Sequence, residues 1–155
     1  MFSPPPELSP RWIDLWLLPT PLSGDEVSYF ESLLTAEETE RFARFRFAEK
    51  RNEAIVSRGL LRHVLSFALK TPAQQVALTL GVNGKPGVAG SRIRVNLSHT
   101  AGRVLLAATL DHELGVDIER IRERTCCEDL ARRYFTPGEH AGIMALPAAP
   151  AVDRL

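Results

Sequence analysis

The sequence predicts an α+β fold for this 155-residue chain, and two patterns carry the prediction. Residues 23–69 show helical periodicity and capping signals, whereas residues 76–118 contain short apolar runs separated by turn signals. Helices followed by strands with short connections are typical of an α+β protein with an antiparallel sheet. A hydrophobic content of 45% and a charged content of 25% are ordinary for a globular domain.

The N-terminal half is predicted to contain one strand and three helices. Residues 12–18 are rich in aromatic and apolar side chains and precede a proline, which predicts a strand. The motifs Ser-Gly-Asp-Glu at 23–26 and Thr-Ala-Glu-Glu at 35–38 are capping boxes, so a short helix is expected after each. Residues 49–69 carry apolar side chains at three-four spacing, which predicts the longest helix.

The next part of the chain is predicted to be an antiparallel meander preceded by one short strand. Strands are expected at 76–80, 93–97, 104–110 and 114–118. Asn83-Gly84 is a tight-turn signal, and residues 98–102 are also predicted to turn. Two short helices are expected afterwards, one over 126–135 and one that begins at Thr136.

Charge is balanced overall but is unevenly distributed along the chain. Nineteen basic and nineteen acidic residues argue against a general nucleic-acid or membrane-surface binder, whose footprint is net basic. Residues 41–62 nevertheless hold seven basic and two acidic side chains. This concentration indicates an anion site, although a solvated helix surface would have the same pattern.

Cysteine usage and the N-terminus predict a cytoplasmic protein with no membrane partner. Cys126 and Cys127 are adjacent, and neighbouring cysteines make no disulfide framework. Residues 1–6 lack the charged and apolar regions of a secretory signal. No apolar stretch approaches the length of a membrane span.

The segment Gly115-Val-Asp-Ile-Glu119 carries the clearest chemical signal. In a strand, Asp117 and Glu119 would point to one face while the intervening apolar residues face the core. Two hard oxygen ligands suit Mg²⁺, which takes one or two carboxylates and completes its shell with water and substrate phosphates. Solvated acids at a strand end show the same pattern, so the motif alone leaves both interpretations open.

Four short motifs follow one another in the second half of the chain. They are Gly84-Lys-Pro86, Asn96-Leu-Ser-His99, Gly115-Val-Asp-Ile-Glu119 and Phe135-Thr-Pro-Gly-Glu139. In this order they resemble the phosphopantetheinyl transferases of the surfactin-synthetase-activating type. The basic segment 44–62 is also similar to the N-terminal basic helix of that family, so the resemblance covers residues 41–139.

The resemblance implies a pseudo-dimeric fold of two similar α+β halves with coenzyme A bound between them. Residues 1–110 would form the N-terminal subdomain, and residues 111–155 would begin the second one. The implied reaction transfers 4'-phosphopantetheine from coenzyme A to a serine of an acyl or peptidyl carrier protein and releases adenosine 3',5'-bisphosphate. Mg²⁺ would bridge the pyrophosphate.

Site residues follow by resemblance from the matched motifs. The implied metal ligands are Asp117 and Glu119, and the implied catalytic residues are Asp117, Glu119 and Glu139. The implied coenzyme A contacts are Arg51, Lys85, Pro86, Ser98 and His99. Arg41 and Arg44 are further candidates on the basic helix.

Considered without the resemblance, several of these residues have plainer interpretations. Lys85 could be a surface lysine in a turn, and His99 could satisfy a turn carbonyl. Glu139 could be an acid in the first turn of a helix, where the helix dipole favours negative charge.

The family carries one further motif, a Trp followed by Lys-Glu-Ala and another Lys, which this sequence lacks. We therefore expect a C-terminally truncated chain that exposes apolar surface, is marginally stable or self-associates, and transfers the group poorly. One alternative is a non-catalytic protein that binds coenzyme A or a carrier protein. Another is a nucleic-acid module built on the 41–62 helix, against which the zero net charge argues.

Overall fold

The computed structural model describes residues 3–81, 84–100, 102–120 and 127–146. Contacts divide the chain into two compact units, Met1–Arg120 and Ile121–Leu155. Residues 111–120 group with the first unit, and the subdomain boundary placed after residue 110 stays a prediction. Asn83 and Cys126, both singled out in the sequence, lie outside the described residues.

The described elements mix helices and strands, which confirms the α+β class. In the first unit they are β1 (Asp14–Pro19), α1 (Gly24–Ser32), α2 (Ala36–Ala43), α3 (Ala48–Leu69), a short 3₁₀ helix (Ala73–Gln75), β2 (Leu78–Leu80), β3 (Pro86–Val88), β4 (Ile93–Thr100) and β5 (Arg103–Leu110). In the second unit they are α4 (Cys127–Tyr134) and α5 (Pro137–Met144).

Both predicted capping boxes begin helices, at Ser23 for α1 and at Thr35 for α2. The two helices lead into α3, which spans 22 residues. α1 crosses α3 at Gly59, where an added Cβ would lie 2.5 Å from the Cβ of Phe30. Since real side-chain carbons do not approach so closely, the crossing requires glycine at this position.

β4 and β5 form the predicted hairpin, but β4 is longer than predicted. The turn expected over 98–102 is wrong, because Ser98 and His99 pair with Leu105 and Val104 as strand residues. Gly102, with φ +84°, has the left-handed backbone that a tight reversal favours. The last three residues of β4, Ser98 to Thr100, are all polar, which is why they were predicted as a turn, but they belong to a strand.

The predicted meander is also wrong in its third strand. β5 pairs antiparallel with β4 on one side and with β1 on the other, from Asp14↔Ala108 to Pro19↔Arg103. Because both edges of β5 are occupied, a strand that follows it has no edge of β5 to join. Residues 114–118, predicted to be that strand, carry no strand assignment.

The core lies between α3 and one face of the three-stranded sheet. Fully buried side chains from both layers meet there, including Phe30, Ile55, Leu65, Val95 and Leu106. On the opposite face, Leu15 and Leu17 of β1 are 60% and 55% exposed. Apolar side chains are therefore exposed on the outer face of this sheet.

Helix length and polarity separate the described helices from membrane spans. In the described part of the chain, no helix is both long and apolar enough to cross a bilayer.

α5 begins as predicted, with Thr136 as its N-cap and Pro137 at the first helical position.

Candidate functional site

Residues 113–120, which we call the carboxylate segment, are attached to β4 through side chains. The Val116 N–H donates to Asn96 Oδ1 at 2.7 Å, and the Ile118 N–H donates to Ser98 Oγ at 3.2 Å. No main-chain hydrogen bond between the segment and β4 occurs among the described residues. Side-chain acceptors thus replace the ladder that a paired strand would have made.

Asp117 and Glu119 are exposed, whereas the alternating apolar residues of the segment are half-buried. The Ser98 hydroxyl donates to Asp117 Oδ1 at 2.7 Å, which fixes one carboxylate oxygen. Two exposed carboxylates two residues apart fit the oxygen donors that Mg²⁺ requires. In the described residues no group of three or more His, Cys, Asp or Glu side chains is placed to hold a metal ion.

Lys85 contacts the start of the carboxylate segment. Its Nζ donates to Glu113 Oε2 at 2.9 Å and to the Leu114 carbonyl at 2.7 Å. Arg94 Nε donates to the other oxygen, Glu113 Oε1, at 2.8 Å. The hydrogen bond and charge of Lys85, assisted by Arg94, hold the pKa of Glu113 below its ordinary value. The Gly-Lys-Pro motif therefore contacts the carboxylate segment at Glu113 and Leu114, directly before the Gly115–Glu119 motif.

An open cleft of about 300 Å³ lies between α2, α3, the β2–β3 hairpin and β4. It combines cationic groups with apolar walls, and its lining residues are Arg41, Phe42, Ala54, Ser57, Arg58, Leu61, Leu80, Gly84, Pro86, Leu97 and His99. Such a lining suits a ligand with a flat apolar body and anionic groups. The basic helix and two of the four motifs border this one space.

His99 stands at the border of the cleft and is held by a carboxylate of α3. Its Nε2 lies 3.0 Å from Glu53 Oε1, and the same carboxylate pairs with Lys50 at 3.1 Å. The imidazole is 52% exposed. This placement leaves part of the ring accessible to a ligand, and it differs from the turn position that the sequence suggested.

Below the cleft, Glu38 and Arg62 form a buried ion pair. Arg62 donates to Glu38 through Nε at 2.6 Å and Nη2 at 3.0 Å, and it also donates to the Ala73 carbonyl at 2.5 Å. Arg58 Nε lies 3.5 Å from Glu38 Oε1 and connects the pair to the cleft. Burial raises the pKa of Glu38, but the bonds from Arg62 and the Thr35 backbone outweigh burial and leave that pKa lowered.

Burial lowers the pKa of Arg58, and the carboxylate of Glu38 opposes this effect. The neighbouring cations Arg41 and Arg62 lower the pKa further. A guanidinium in this position gains from an additional anion, because Arg58 and Arg62 share one buried carboxylate and Arg41 adds a third positive charge nearby. Arg58 lies within the basic segment 44–62, and nothing in the sequence indicated that it borders a cleft.

Two predicted site residues, Arg51 and Glu139, make contacts within their own units. Arg51, the predicted helix contact to coenzyme A, is not among the described residues that line the cleft, and its Nη2 lies 3.5 Å from Glu31 Oε1. Glu139 belongs to the second unit, where its carboxylate accepts the Thr136 N–H at 2.8 Å and caps α5. That backbone bond lowers the pKa of Glu139, as expected of a first-turn acid.

Sequence reasoning missed Asn96, Glu113, Arg58 and Glu38 as contributors to this site. Asn96 was visible inside a matched motif, and Glu38 was visible as the acid of a capping box. Glu113 and Arg58 gave no signal of their own, because each acts through a partner distant in sequence.

Comparisons with known proteins agree with these observations. The family model described as "4'-phosphopantetheinyl transferase, N-terminal" matches residues 20–111, which is more than half of the chain.

Individual relatives also match. The 4'-phosphopantetheinyl transferase HetI of Nostoc sp. is 31% identical over 139 residues, which cover 87% of this chain and 59% of that protein. Sfp of Bacillus subtilis strain 168 is 26% identical over 126 residues, or 81% of this chain and 55% of Sfp. AcpT of Salmonella typhi is 39% identical over 85 residues, or 54% of this chain and 43% of AcpT. The chain spans about half the length of the curated relatives it matches.

Proposed function

The chain belongs to the 4'-phosphopantetheinyl transferase family, and we propose that it serves Mg²⁺-dependent transfer of 4'-phosphopantetheine from coenzyme A to a carrier-protein serine. The acceptor class is an acyl or peptidyl carrier protein. The observation that carries the proposal is the convergence of the basic helix and three matched motifs around the cleft and the carboxylate segment.

The cleft supports binding of the nucleotide part of coenzyme A. Its apolar wall, including Phe42 and Leu61, suits a flat adenine ring, and Arg41 and Arg58 supply positive charge for phosphate groups. His99 can donate a hydrogen bond to phosphate without a permanent charge. Lys85, next to the cleft residue Pro86, is a point charge within reach of the carboxylate segment.

Asp117 and Glu119 would hold the Mg²⁺, and Glu139 would be a supporting acid. When bound, the ion would supply Lewis-acid activation and neutralise charge on the pyrophosphate. In the transfer, the serine hydroxyl gives up its proton to water as its oxygen forms a bond to the phosphorus of the phosphopantetheine group. The bond from that phosphorus to the oxygen of adenosine 3',5'-bisphosphate breaks, and the cationic side chains hold the phosphates in line.

The fold is proposed to be a pseudo-dimer of two similar α+β halves, in which residues 1–110 form the first half and residues 111–155 belong to the second. Assayed alone, the 155-residue chain is expected to transfer slowly, because the reaction depends on electrostatic positioning by groups from both halves. A cytoplasmic location is proposed from the cysteine usage.

The test is the mass of an apo carrier protein after incubation with this chain, coenzyme A and Mg²⁺. We expect a phosphopantetheine-sized gain that Asp117→Ala slows by roughly 10³-fold, since a metal ligand is lost. Asp25→Ala, which removes an exposed carboxylate of α1, is the matched control and should transfer like the wild type.

Calorimetric titration with coenzyme A completes the test. A chain that neither binds coenzyme A nor modifies the carrier protein would contradict the proposal. Binding without transfer would favour the alternative of a coenzyme A-binding protein without catalytic activity. Transfer that is equal in the wild type and in Asp117→Ala would remove the metal role assigned to Asp117.

A further inference from the structure

The carboxylate segment lies over the outer face of the sheet, and the side chains of β4 determine where it lies. Residues directly opposite in an antiparallel pair share a face, and Asn96 is opposite Ala107 while Val95 is opposite Ala108 in the core. Asn96 and Ser98 therefore project away from the core, on the same face as the exposed apolar residues of β1. The hydrogen bonds from the segment to both residues are made on this outer face.

The acceptors and donors match in spacing. Asn96 and Ser98 are two residues apart. The Val116 and Ile118 amides, whose hydrogen bonds they accept, are also two residues apart. A shift of the segment by one residue would break both bonds and would exchange the exposed and half-buried side chains. The carboxylates would then turn toward the sheet, so the spacing fixes one register.

Ser98 has a second function in this arrangement. Its hydroxyl accepts from the Ile118 amide and donates to Asp117 Oδ1 at 2.7 Å, so a single group orients both the backbone and the carboxylate. At the other end of the segment, Lys85 donates to the Leu114 carbonyl at 2.7 Å. The peptide groups on both sides of Asp117 are thus held by side chains of other elements.

We propose that Asn96 and Ser98 are positioning residues that fix the register of the carboxylate segment and thereby aim Asp117 and Glu119 at one bound cation. The inference rests on the proposed function for the identity of the cation. It assigns to Asn96 a role through backbone hydrogen bonding, and it assigns to Ser98 a role at Asp117 in addition to the predicted contact with coenzyme A. Partners that orient metal ligands commonly change metal affinity by about 10–100-fold when removed.

The experiment combines amide hydrogen exchange with Mn²⁺ binding followed by electron paramagnetic resonance, using the full chain. Asn96→Leu removes the acceptor for Val116 at similar size, and Ser98→Ala removes the acceptor for Ile118. Ser98→Thr keeps a hydroxyl and should restore the wild-type behaviour. Thr100→Val is the matched control, because Thr100 follows on the same face of β4 and makes no side-chain hydrogen bond among the described residues.

We expect exchange of the Val116 amide to accelerate roughly tenfold in Asn96→Leu, and exchange of the Ile118 amide to accelerate similarly in Ser98→Ala. Mn²⁺ affinity should fall about tenfold in both variants. The amides of the β4–β5 hairpin should stay protected in every variant, which shows that the fold is intact.

Unchanged protection of these amides in Asn96→Leu and Ser98→Ala would overturn the inference, and so would faster exchange with unchanged Mn²⁺ affinity. If the wild type bound no Mn²⁺, the proposed metal role would fail. The exchange data would then decide separately whether these side chains fix the register.

Discussion

Glu38 and Glu113 each bridge two cationic side chains, but one lies inside the first unit and the other lies on its surface. Glu38 is 8% exposed and forms ion pairs with both Arg62 and Arg58. The side chain of Glu113 is 72% exposed and forms ion pairs with Lys85 and Arg94. The chemistry of the two clusters is the same, and the amount of water around them differs.

The difference in solvent exposure distinguishes ion pairs that stabilise the fold from ion pairs that are available to a ligand. Removing one partner of a buried pair leaves a charge without water or a counter-ion, so Glu38 and Arg62 depend on each other. Water and salt compensate for the loss of an exposed partner, so Glu113 can give up Lys85 to another anion at little cost. The buried cluster supports the cleft, whereas the exposed cluster can exchange partners.

The largest effect is expected from breaking the buried cluster. Arg62→Leu should lower the free energy of unfolding by about 3–5 kcal/mol, because Glu38 is left buried without its main partner. Urea denaturation measures this change, and Arg44→Leu at the exposed end of α2 is the control. Combining Glu38→Gln with Arg62→Leu should recover part of the loss. A single Arg62→Leu chain as stable as the control would show that the pair does not support the fold.

Acid should weaken the buried cluster selectively. The pKa of Glu38 is lowered in the folded state, so its contribution is present above the unfolded value near 4.5 and is lost as the pH falls through the lower folded value. The difference in melting temperature between the wild type and Glu38→Gln should therefore be constant near neutrality and narrow below about pH 4.5. A difference in melting temperature that stays constant down to pH 3 would contradict the lowered pKa of Glu38.

In the exposed cluster, Lys85 is expected to affect binding more than folding. Lys85→Met should weaken coenzyme A binding by roughly tenfold, since one point charge near the phosphates is lost. Isothermal titration calorimetry measures the change, and Arg103→Met on β5 tests whether any exposed cation has the same effect. Equal weakening in both variants would indicate general charge attraction rather than a specific contact.

The smallest effect is expected from Glu113→Gln. Its denaturation curve should overlay the wild type within error, because water replaces the lost charge. Coenzyme A affinity should rise by about twofold at low salt, since Lys85 is released from a competing carboxylate, and the gain should vanish at high salt. Weaker binding in this variant would instead mean that Glu113 holds Lys85 in its binding position.

Local signals predicted most of the elements because their causes are local. The capping boxes at Ser23 and Thr35, the long α3 and the Thr136–Pro137 helix start follow from side-chain hydrogen bonds and periodicity within one segment. The errors concern pairing. Residues 114–118 were predicted to pair with β5 at the edge that β1 occupies, because nothing in a strand-like stretch specifies its neighbour.

The candidate site shows the same division between properties with local causes and properties that depend on tertiary packing. Asp117 and Glu119 could be selected from their spacing, and their exposure follows the predicted alternation. Arg51 was selected from the same helix as Arg58, yet only Arg58 borders the cleft. The rotation of α3 against α2 and the β2–β3 hairpin decides which cations face that space, and this rotation depends on packing rather than on helix periodicity alone.

The family, the α+β class and the helix starts could be derived from the sequence alone, which also singled out the two carboxylates as candidates. These properties depend on residue types and short spacings, which the chain carries wherever it folds. Three contacts became visible only in the tertiary structure. Glu38 is buried with Arg62, and Lys85 forms an ion pair with Glu113. Asn96 and Ser98 accept hydrogen bonds from the carboxylate segment. Those contacts join residues 20 to 28 positions apart, and their energies depend on burial and geometry that exist only after the core has formed.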